Sequence, residues 1–446
     1  MLLENVSAIS TPIGVGGVAI IRISGDTPLS VAEKMFRPAC SVSVRDFEPY
    51  RMYAGEIDCG DFTDFGMCVY FRAPKSYTGE EMVEFHCHGG VAITRGVLAR
   101  TFELGCKPAG RGEFTKRAFL NGKLSLSSCE GLIDMINSES EGEVKAGYYL
   151  YKERLTREIR NLQDKLKESL SLIEAGIDFP EEGVEEADAA DVYASVVSVK
   201  KRVDELASTF RTGMKIKNGV KVAIAGKPNT GKSSLLNALI SCDKAIVSPV
   251  AGTTRDAVEA TLVLGGVRFE MSDTAGIRAS SDGVEAEGIN RSRKILDGCD
   301  MAIVVLDGSA PLGEEDDEII ALSEGRERII VNNKSDHPDF SSRPCDVEIS
   351  AKTGKNLSVL TDLMLKKMFE GKIDLSGGII SEERHFYALK AASEALGAAA
   401  ETINTMPLDA AAVDISAAWE TLGEITGETA SEKVIEDIFS RFCVGK

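Results

Sequence analysis

No stretch of the chain approaches the roughly 20 consecutive apolar residues that a membrane-spanning helix needs, which excludes a helical membrane anchor as the organising feature. The first residues, Met1-Leu2-Leu3-Glu4-Asn5-Val6, lack the basic flank and apolar core of a secretory signal, so a cytoplasmic protein is expected. No Cys-x-x-Cys pair occurs. The ten cysteines stand singly, at Cys40, Cys59, Cys68, Cys87, Cys106, Cys129, Cys242, Cys299, Cys345 and Cys443, and are expected to be mostly small buried hydrophobes. His86-Cys87-His88 is the one dense cluster of ligand-type residues. His86 and His88 would share a strand face, but no second cluster nearby completes a zinc site. Positive charge is also short. The net charge of −19 argues against broad non-specific binding to nucleic acid, which requires neutralising phosphates. Locally, Lys107, Arg111, Lys116, Arg117 and Lys123 stand against Glu113 alone, a balance of +4. That segment is either a small basic patch or an ordinary exposed loop and helix.

What is present is an ordinary globular balance, 43% hydrophobic and 27% charged, in 446 residues, long enough for two to four domains. Residues 1–118 read as a compact α/β unit. Strand-like runs such as Val18–Ile23 and Met67–Phe71 are separated by glycine-rich turns, as at Gly14–Gly17 and Gly89-Gly90. Residues 119–213 read as helical. Leu155, Ile159, Leu162, Leu166, Leu170, Ile173 and Ile177 recur at helical spacing until Phe179-Pro180 ends the pattern. The acidic run from Glu181 to Asp191 reads as an exposed connection, followed by a helix over Val192–Arg211. Residues 217–376 read as a doubly wound nucleotide-binding domain. Residues 377–446 return to helix and are expected to pack with 119–213, the nucleotide-binding domain being inserted between them.

The nucleotide motif is Gly226-Lys-Pro-Asn229-Thr230-Gly231-Lys232-Ser233-Ser234. It follows the buried-strand run Val222–Ala225 and leads into the helical spacing of Leu235, Leu236 and Leu239. Its glycines let backbone N–H groups turn onto phosphate oxygens. Lys232 reaches the β- and γ-phosphates, and Ser233 ligates Mg²⁺. Asp273-Thr274-Ala275-Gly276 ends the alternating stretch Val267–Ser272, where Asp273 can hold a Mg²⁺-bound water and the Gly276 N–H can meet the γ-phosphate. Asn333-Lys334-Ser335-Asp336 follows the apolar run Ile329–Val331 and selects GTP over ATP, because the Asp336 carboxylate accepts from guanine donors that adenine lacks. Ser350-Ala351-Lys352 supplies a backbone N–H for the guanine O6. The nucleotide-contacting set from these motifs is therefore Asn229, Thr230, Gly231, Lys232, Ser233, Ser234, Asp273, Thr274, Ala275, Gly276, Asn333, Lys334, Asp336, Ser350, Ala351 and Lys352.

Between the phosphate-loop helix and the second strand lies Gly252-Thr253-Thr254-Arg255-Asp256, where GTPases carry a mobile loop. Thr254 is the candidate Mg²⁺ ligand there. The residue after Gly276 is Ile277, which cannot orient the attacking water as a glutamine does. Two substitutes present themselves. The Asn229 side chain can ligate a monovalent cation between the β- and γ-phosphates, and Asp282, Glu285 or Glu287 can orient the water.

The whole chain resembles the tRNA-modification GTPase family MnmE, also called TrmE. The resemblance is carried by Ser10-Thr11-Pro12, Gly16-Gly17-Val18, Ile21-Arg22-Ile23-Ser24-Gly25, Tyr77-Thr78-Gly79-Glu80, His88-Gly89-Gly90 and Gly112-Glu113-Phe114-Thr115. Arg117–Lys123, Gly252–Asp256 and Cys443-Val444-Gly445-Lys446 complete it. It implies an N-terminal α/β domain that binds a tetrahydrofolate one-carbon carrier and dimerises, a discontinuous helical domain and an inserted Ras-like P-loop GTPase domain. Folate contacts fall on Arg22, Glu84, Lys123 and Lys446, with Cys443 beside them. The resemblance further implies K⁺ held by Asn229, Ser248, Val250 and Thr253, Mg²⁺ held by Ser233 and Thr254, and Glu285 as the residue that orients water, with Ser248, Thr253 and Thr254 beside the nucleotide. The reaction implied is joint. GTP hydrolysis and an FAD-dependent partner, MnmG, in a heterotetramer with the homodimer, install an aminomethyl or carboxymethylaminomethyl group at carbon 5 of the wobble uridine of certain tRNAs. The carbon comes from 5,10-methylenetetrahydrofolate or a related reduced folate, for which 5-formyltetrahydrofolate serves as an analogue. Two departures stand out, Arg111 where the family usually has proline and Val15 where many members carry a basic or polar residue. The ending Cys443-Val-Gly-Lys446 fits a prenylation box poorly. The competing readings are a ribosome-assembly GTPase switch, against which the acidic chain speaks, and a folate-dependent transferase with an acquired switch.

Overall fold

The computed structural model describes residues 4–178, 186–241, 260–273, 296–369 and 378–446. They fall into two compact units, one of residues 1–133, 150–168 and 419–446, the other of 134–149 and 169–418.

In the first unit, β1 (Val6–Ile9), β2 (Ala19–Gly25), β3 (Phe36–Pro38), β4 (Met52–Asp58), β5 (Thr63–Phe71), β6 (Glu81–Cys87) and β7 (Lys107–Pro108) form one sheet, in the order β3-β4-β5-β6-β2-β1-β7. All pairs are antiparallel except β1 with β7. Alternation decides what each face carries. Ala19, Ile21 and Ile23 of β2 and Val83, Phe85 and Cys87 of β6 enter a core with the helices Pro28–Met35 and Val91–Glu103. The opposite face therefore receives Arg22, Glu84 and His86, with Arg22 directly across from Glu84.

The end of the chain is built into this unit. Ile438, Phe439 and Phe442 pack on Leu126 and Cys129. Beyond them, Gly112 N donates to the Cys443 carbonyl at 3.4 Å and Phe114 N to that of Lys446 at 3.2 Å. Gly445 sits at φ +98°, and a Cβ there would lie 2.0 Å from the Ile9 carbonyl oxygen, so the tail approaches the sheet only because this residue has no side chain.

In the second unit, β8 (Val220–Ala225), β9 (Ala260–Leu264), β10 (Val267–Asp273), β11 (Met301–Asp307), β12 (Glu327–Asn333) and β13 (Val347–Glu348) form a sheet ordered β13-β12-β11-β8-β10-β9, parallel except for β9 with β10. β11 is buried along Met301–Leu306, as expected of a strand covered on both faces. β8 lies between β10 and β11, so the chain leaves it first to one side and later returns on the other. The carboxyl end of β8 is thus the switch point where an open parallel sheet leaves a crevice.

The two chain ends of this sheet are fastened together. The helix Phe210–Asn218 runs into β8, and Thr209 Oγ1 accepts from Ile380 N at 3.0 Å on the returning segment. A Cβ on Gly213 would lie 2.0 Å from the Ile380 carbonyl oxygen. Lys217 Nζ lies 2.8 Å from Asp134 Oδ1 and also pairs with Glu382. Burial and the neighbouring Glu382 push the Asp134 carboxyl up to about 7.

Several local expectations change. The helix expected over Val192–Arg211 is two helices, Glu186–Ser208 and Phe210–Asn218. The acidic run read as a connection is helical from Glu186 onward, because acidic residues are favourable at the positive end of a helix dipole. The +4 segment is partly neutralised by local ion pairs: Lys107 pairs with Glu4 at 2.6 Å, and Arg117 pairs with Glu80 at 3.0 Å and Glu113 at 2.8 Å. Cys59, Cys68, Cys87, Cys106 and Cys129 are buried, but Cys40 and Cys443 are exposed and Cys299 and Cys345 half-buried. Cys242 lies outside the described residues. His88 Nδ1 is 2.7 Å from Asp64 Oδ1, His86 faces Glu84, and the described residues hold no group of His, Cys, Asp and Glu arranged for a metal. No described helix is long and apolar enough to cross a membrane.

Trp419, the single tryptophan, belongs to the first unit and reports its unfolding. Phe442→Ala leaves a cavity among Leu126, Cys129, Ile438 and Phe439. It is expected to cost about 3 kcal/mol, seen as a lower urea midpoint of the Trp419 fluorescence transition.

Candidate functional site

The phosphate loop occupies the crevice at the end of β8. Asn229 is exposed and held at φ +64°, a conformation asparagine tolerates better than most residues. Thr230 is buried, and its hydroxyl donates to the Lys227 carbonyl at 3.0 Å. Gly231 caps the helix Lys232–Ile240 at φ +97°, which leaves Ser233 and Ser234 exposed in the first turn. Lys232 is buried, and Nζ donates to the carbonyls of Gly226 at 2.7 Å and Lys227 at 2.8 Å. A helix N-terminus, backbone N–H groups and one ammonium therefore converge, the chemistry that holds an anion.

Asn333, last residue of β12, joins this loop to the second motif. Its Nδ2 donates to the Thr230 carbonyl at 2.9 Å, and its Oδ1 accepts from Ala351 N at 3.0 Å. Both bonds are buried. Lys334 follows at φ +66°, and its ammonium reaches Asp307 Oδ2 at 2.5 Å. Burial would raise the Asp307 carboxyl, but bonds from Lys334 and Ser309 outweigh it and hold it below the usual range. Asp336 is exposed. Its Oδ1 accepts from Ser350 Oγ at 2.6 Å, the main reason its carboxyl lies below the usual range. Ser350 and Ala351 are buried, and Lys352 is exposed. The structure thus brings Thr230, Lys232, Asn333, Asp336, Ser350 and Ala351 onto one crevice edge.

Asp273 ends β10, level with Ile224 of β8. Ser248, Val250, Thr253, Thr254, Thr274, Ala275, Gly276, Ile277, Asp282, Glu285 and Glu287 lie outside the described residues.

A second candidate site lies on the outer face of the first unit's sheet. Arg22 Nε donates to Glu84 Oε1 at 2.8 Å, and the guanidinium carbon stands 5.1 Å from the Tyr77 ring centre and 5.4 Å from that of Phe114. Burial would raise the Glu84 carboxyl, but His86 and Arg22 outweigh it and hold it low. The Lys446 ammonium is drawn down by burial and by the like charge of Arg22, while Glu84 and Cys443 pull the other way. Arg22, Glu84 and Lys446 are therefore neighbours, although they stand far apart in sequence. Lys123 is exposed and donates to the Pro74 carbonyl at 3.0 Å, on the loop that carries Tyr77. Cys443 is exposed on the docked tail.

Four features escape sequence reasoning. Tyr77 and Phe114 enclose Arg22, yet they stand in the sequence only as parts of matched motifs. Asp307 holds Lys334, and its only signal is a carboxylate ending an apolar strand. His86 reads in the sequence only as a candidate metal ligand. Arg111, the unusual residue, pairs through its backbone with Val444 and reaches the Ser440 carbonyl with Nη1 at 3.5 Å, so it sits against the tail.

Comparison with known proteins gives consistent matches. The family described as the GTP-binding protein TrmE N-terminus matches residues 5–123, and that described as the MnmE helical domain matches residues 126–443. The chain is similar to a tRNA modification GTPase MnmE of Natranaerobius thermophilus, 37% identical with 100% of each chain covered. It is also similar to one of Geobacter metallireducens, 38% identical with 100% of each covered. A crystal structure of a point variant of Aquifex aeolicus Era bound to GDP·AlF4⁻ is 28% identical over 40% of this chain and 66% of that one, with a TM-score of 0.26.

Asn333→Ala removes both buried bonds of the clamp and leaves the Thr230 carbonyl and the Ala351 N–H without it. Guanine-nucleotide affinity is expected to fall on the order of tenfold or more, measured by titration with a fluorescent GDP analogue.

Proposed function

The chain belongs to the tRNA modification GTPase MnmE family, and on that premise we propose that it is a potassium-activated GTPase whose hydrolysis drives a folate-dependent modification of the tRNA wobble uridine. GTP hydrolysis in tRNA modification, with nucleotide and Mg²⁺ use, follows from the family itself. The finer reading adds MnmG as FAD-dependent partner, a homodimer, a cytoplasmic location and transfer of a one-carbon unit to carbon 5 of the uridine as part of an aminomethyl or carboxymethylaminomethyl group. In this reading residues 1–118 bind tetrahydrofolate and dimerise, 119–213 and 377–446 form the helical domain, and 217–376 form the GTPase domain.

The observation that carries the nucleotide reading is the Asn333 clamp. One amide holds the carbonyl of the phosphate loop and the N–H of the Ser350–Lys352 turn, so phosphate and base recognition belong to one rigid edge. Asp336, fixed by Ser350, presents a carboxylate to the guanine donors. Lys232 would turn from its own loop's carbonyls to the β- and γ-phosphates. Ser233, exposed beside it, would hold Mg²⁺ together with Thr254. Asn229 projects from the loop at the residue where a cation ligand is wanted. With Ser248, Val250 and Thr253 it would hold K⁺, whose charge offsets that developing on the transferred phosphoryl group. Glu285 would orient the attacking water.

For the folate, the support is the face that carries Arg22, Glu84 and Lys446, with the Arg22 guanidinium over the Tyr77 and Phe114 rings. The cations suit the carboxylates of a folate's glutamate tail, and Glu84 suits the donor edge of its pterin. Lys123 would complete the contacts from the adjoining loop.

Replacing K⁺ with Na⁺ is expected to lower GTP turnover at least about tenfold, and Asn229→Ala to remove the difference between the two salts; equal wild-type rates would take the cation out of the mechanism. Glu285→Ala should lower kcat with nucleotide affinity little changed. Removing the last four residues should weaken 5-formyltetrahydrofolate binding in calorimetry on the order of tenfold and stop tRNA modification, while GTP hydrolysis continues. Unchanged folate affinity in both this truncation and Arg22→Ala would rule out the site.

A further inference from the structure

Glu84 and His86 stand two residues apart on β6 and so point to the same face of the sheet. Their side chains are 10% and 20% exposed. Arg22 engages one oxygen of Glu84, at 2.8 Å. The other, Oε2, lies 3.4 Å from His86 Nε2. That nitrogen is buried, and its contact with Glu84 Oε2 lies at the long limit of a hydrogen bond, too poorly aligned to satisfy it fully. A buried polar atom so poorly met is costly, and proteins seldom keep one unless a ligand or water completes it. Directly across from His86 the neighbouring strands carry Ile20 and Met67, which offer it no polar group. Of the other charged groups here, Arg22 is bonded to Glu84 Oε1, and Glu56 lies further out on the same face, beyond β5.

A carboxylate oxygen and an imidazole nitrogen side by side at this separation form an acceptor–donor pair. Such a pair matches a cyclic amide, whose ring N–H and neighbouring carbonyl are spaced for two parallel hydrogen bonds. The pterin of a reduced folate carries that edge. A pteridine with an amino group in place of the carbonyl presents a donor where the site also presents a donor.

We propose that His86 is a specificity-determining residue of the folate site, its Nε2 donating to the ring carbonyl while Glu84 Oε2 accepts from the adjacent ring N–H. The proposal rests on the folate reading above and adds the residue that distinguishes the oxo ring from its amino analogue. Glu84 supplies affinity for either ring, since both carry donors. His86 supplies the preference between them.

The test is calorimetry on the full chain with two ligands, 5-formyltetrahydrofolate and its 4-amino analogue, for wild type, His86→Leu, His86→Gln and Arg22→Ala. GTP hydrolysis of each variant serves as the folding control. Wild type is expected to favour the oxo ligand. His86→Leu should lose about tenfold in affinity for it and little for the amino analogue, so the preference collapses. His86→Gln, whose amide can still donate, should restore most of the preference. Equal losses for both ligands in His86→Leu would mean a purely structural role and overturn the proposal, as would unchanged affinity for both. Either result leaves the folate reading standing if Arg22→Ala still loses binding. That reading fails instead if wild type binds neither ligand.

Discussion

The second unit depends on bringing its two ends together. A sheet of six strands lies between the helix ending at Asn218 and the helix beginning at Glu383, so its two ends must lie together for the flanking helices to continue. The closure is made by backbone and charge at one place. Gly213 lets the returning Ile380 carbonyl come where any side chain would block it, Thr209 caps the Ile380 N–H, and Lys217 draws Asp134 and Glu382 onto one ammonium. Burial disfavours the charged carboxylate, and two carboxylates on a single ammonium leave one negative charge unbalanced, which is why the Asp134 carboxyl is pushed up to about 7 rather than down. The joint is held less by favourable electrostatics than by close backbone approach, with the ion pairs fixing its geometry.

Rigid ends allow the rest of the sheet to work as a platform. β8 emerges from this joint, runs through the centre of the sheet and delivers the phosphate loop at its far end. Each further element of this edge also sits at the carboxyl end of a parallel strand: Asp273 ends β10, Asp307 ends β11 and Asn333 ends β12. Their spacing is therefore set by the fixed distances between neighbouring strands. A single side chain, Asn333, then suffices to link two loops, because the strands have already brought both within reach.

This explains which parts of the molecule were legible in the sequence. Motifs at strand ends are short and contiguous, and each contains both the functional residue and the glycine or asparagine that its conformation requires, as at Asn229 and Gly231. The strand runs Val222–Ala225 and Ile329–Val331 read correctly for the same reason, since continuous burial leaves a continuous apolar signature. The sheet-face site was not legible from residue pattern. Arg22 meets Glu84 across a ladder, Phe114 arrives from a helix after β7, and Lys446 comes from the other end of the chain. No local pattern records these meetings, and only the family resemblance named the residues. The misread acidic run shows the complementary error. Charge density suggested a connection, while the same residues from Glu186 onward suit the first turns of a helix.

The two sites also handle charge differently in a chain of net charge −19. At the phosphate loop, positive character comes mainly from oriented N–H groups and one lysine folded into its own loop, so little charge is exposed before an anion arrives. On the sheet face, a guanidinium bonded to Glu84 stands beside two aromatic rings, with a half-buried ammonium close enough to feel both charges. Burial and the like charge of Arg22 together loosen the hold of Lys446 on its proton. Mutual repulsion of that kind is relieved by an added anion. Against an acidic surface that repels anions elsewhere, such a place would favour an anion by contrast as much as by contact. The docked tail is what sustains the arrangement: the Phe442 anchor and the close approach at Gly445 hold Lys446 close to Arg22.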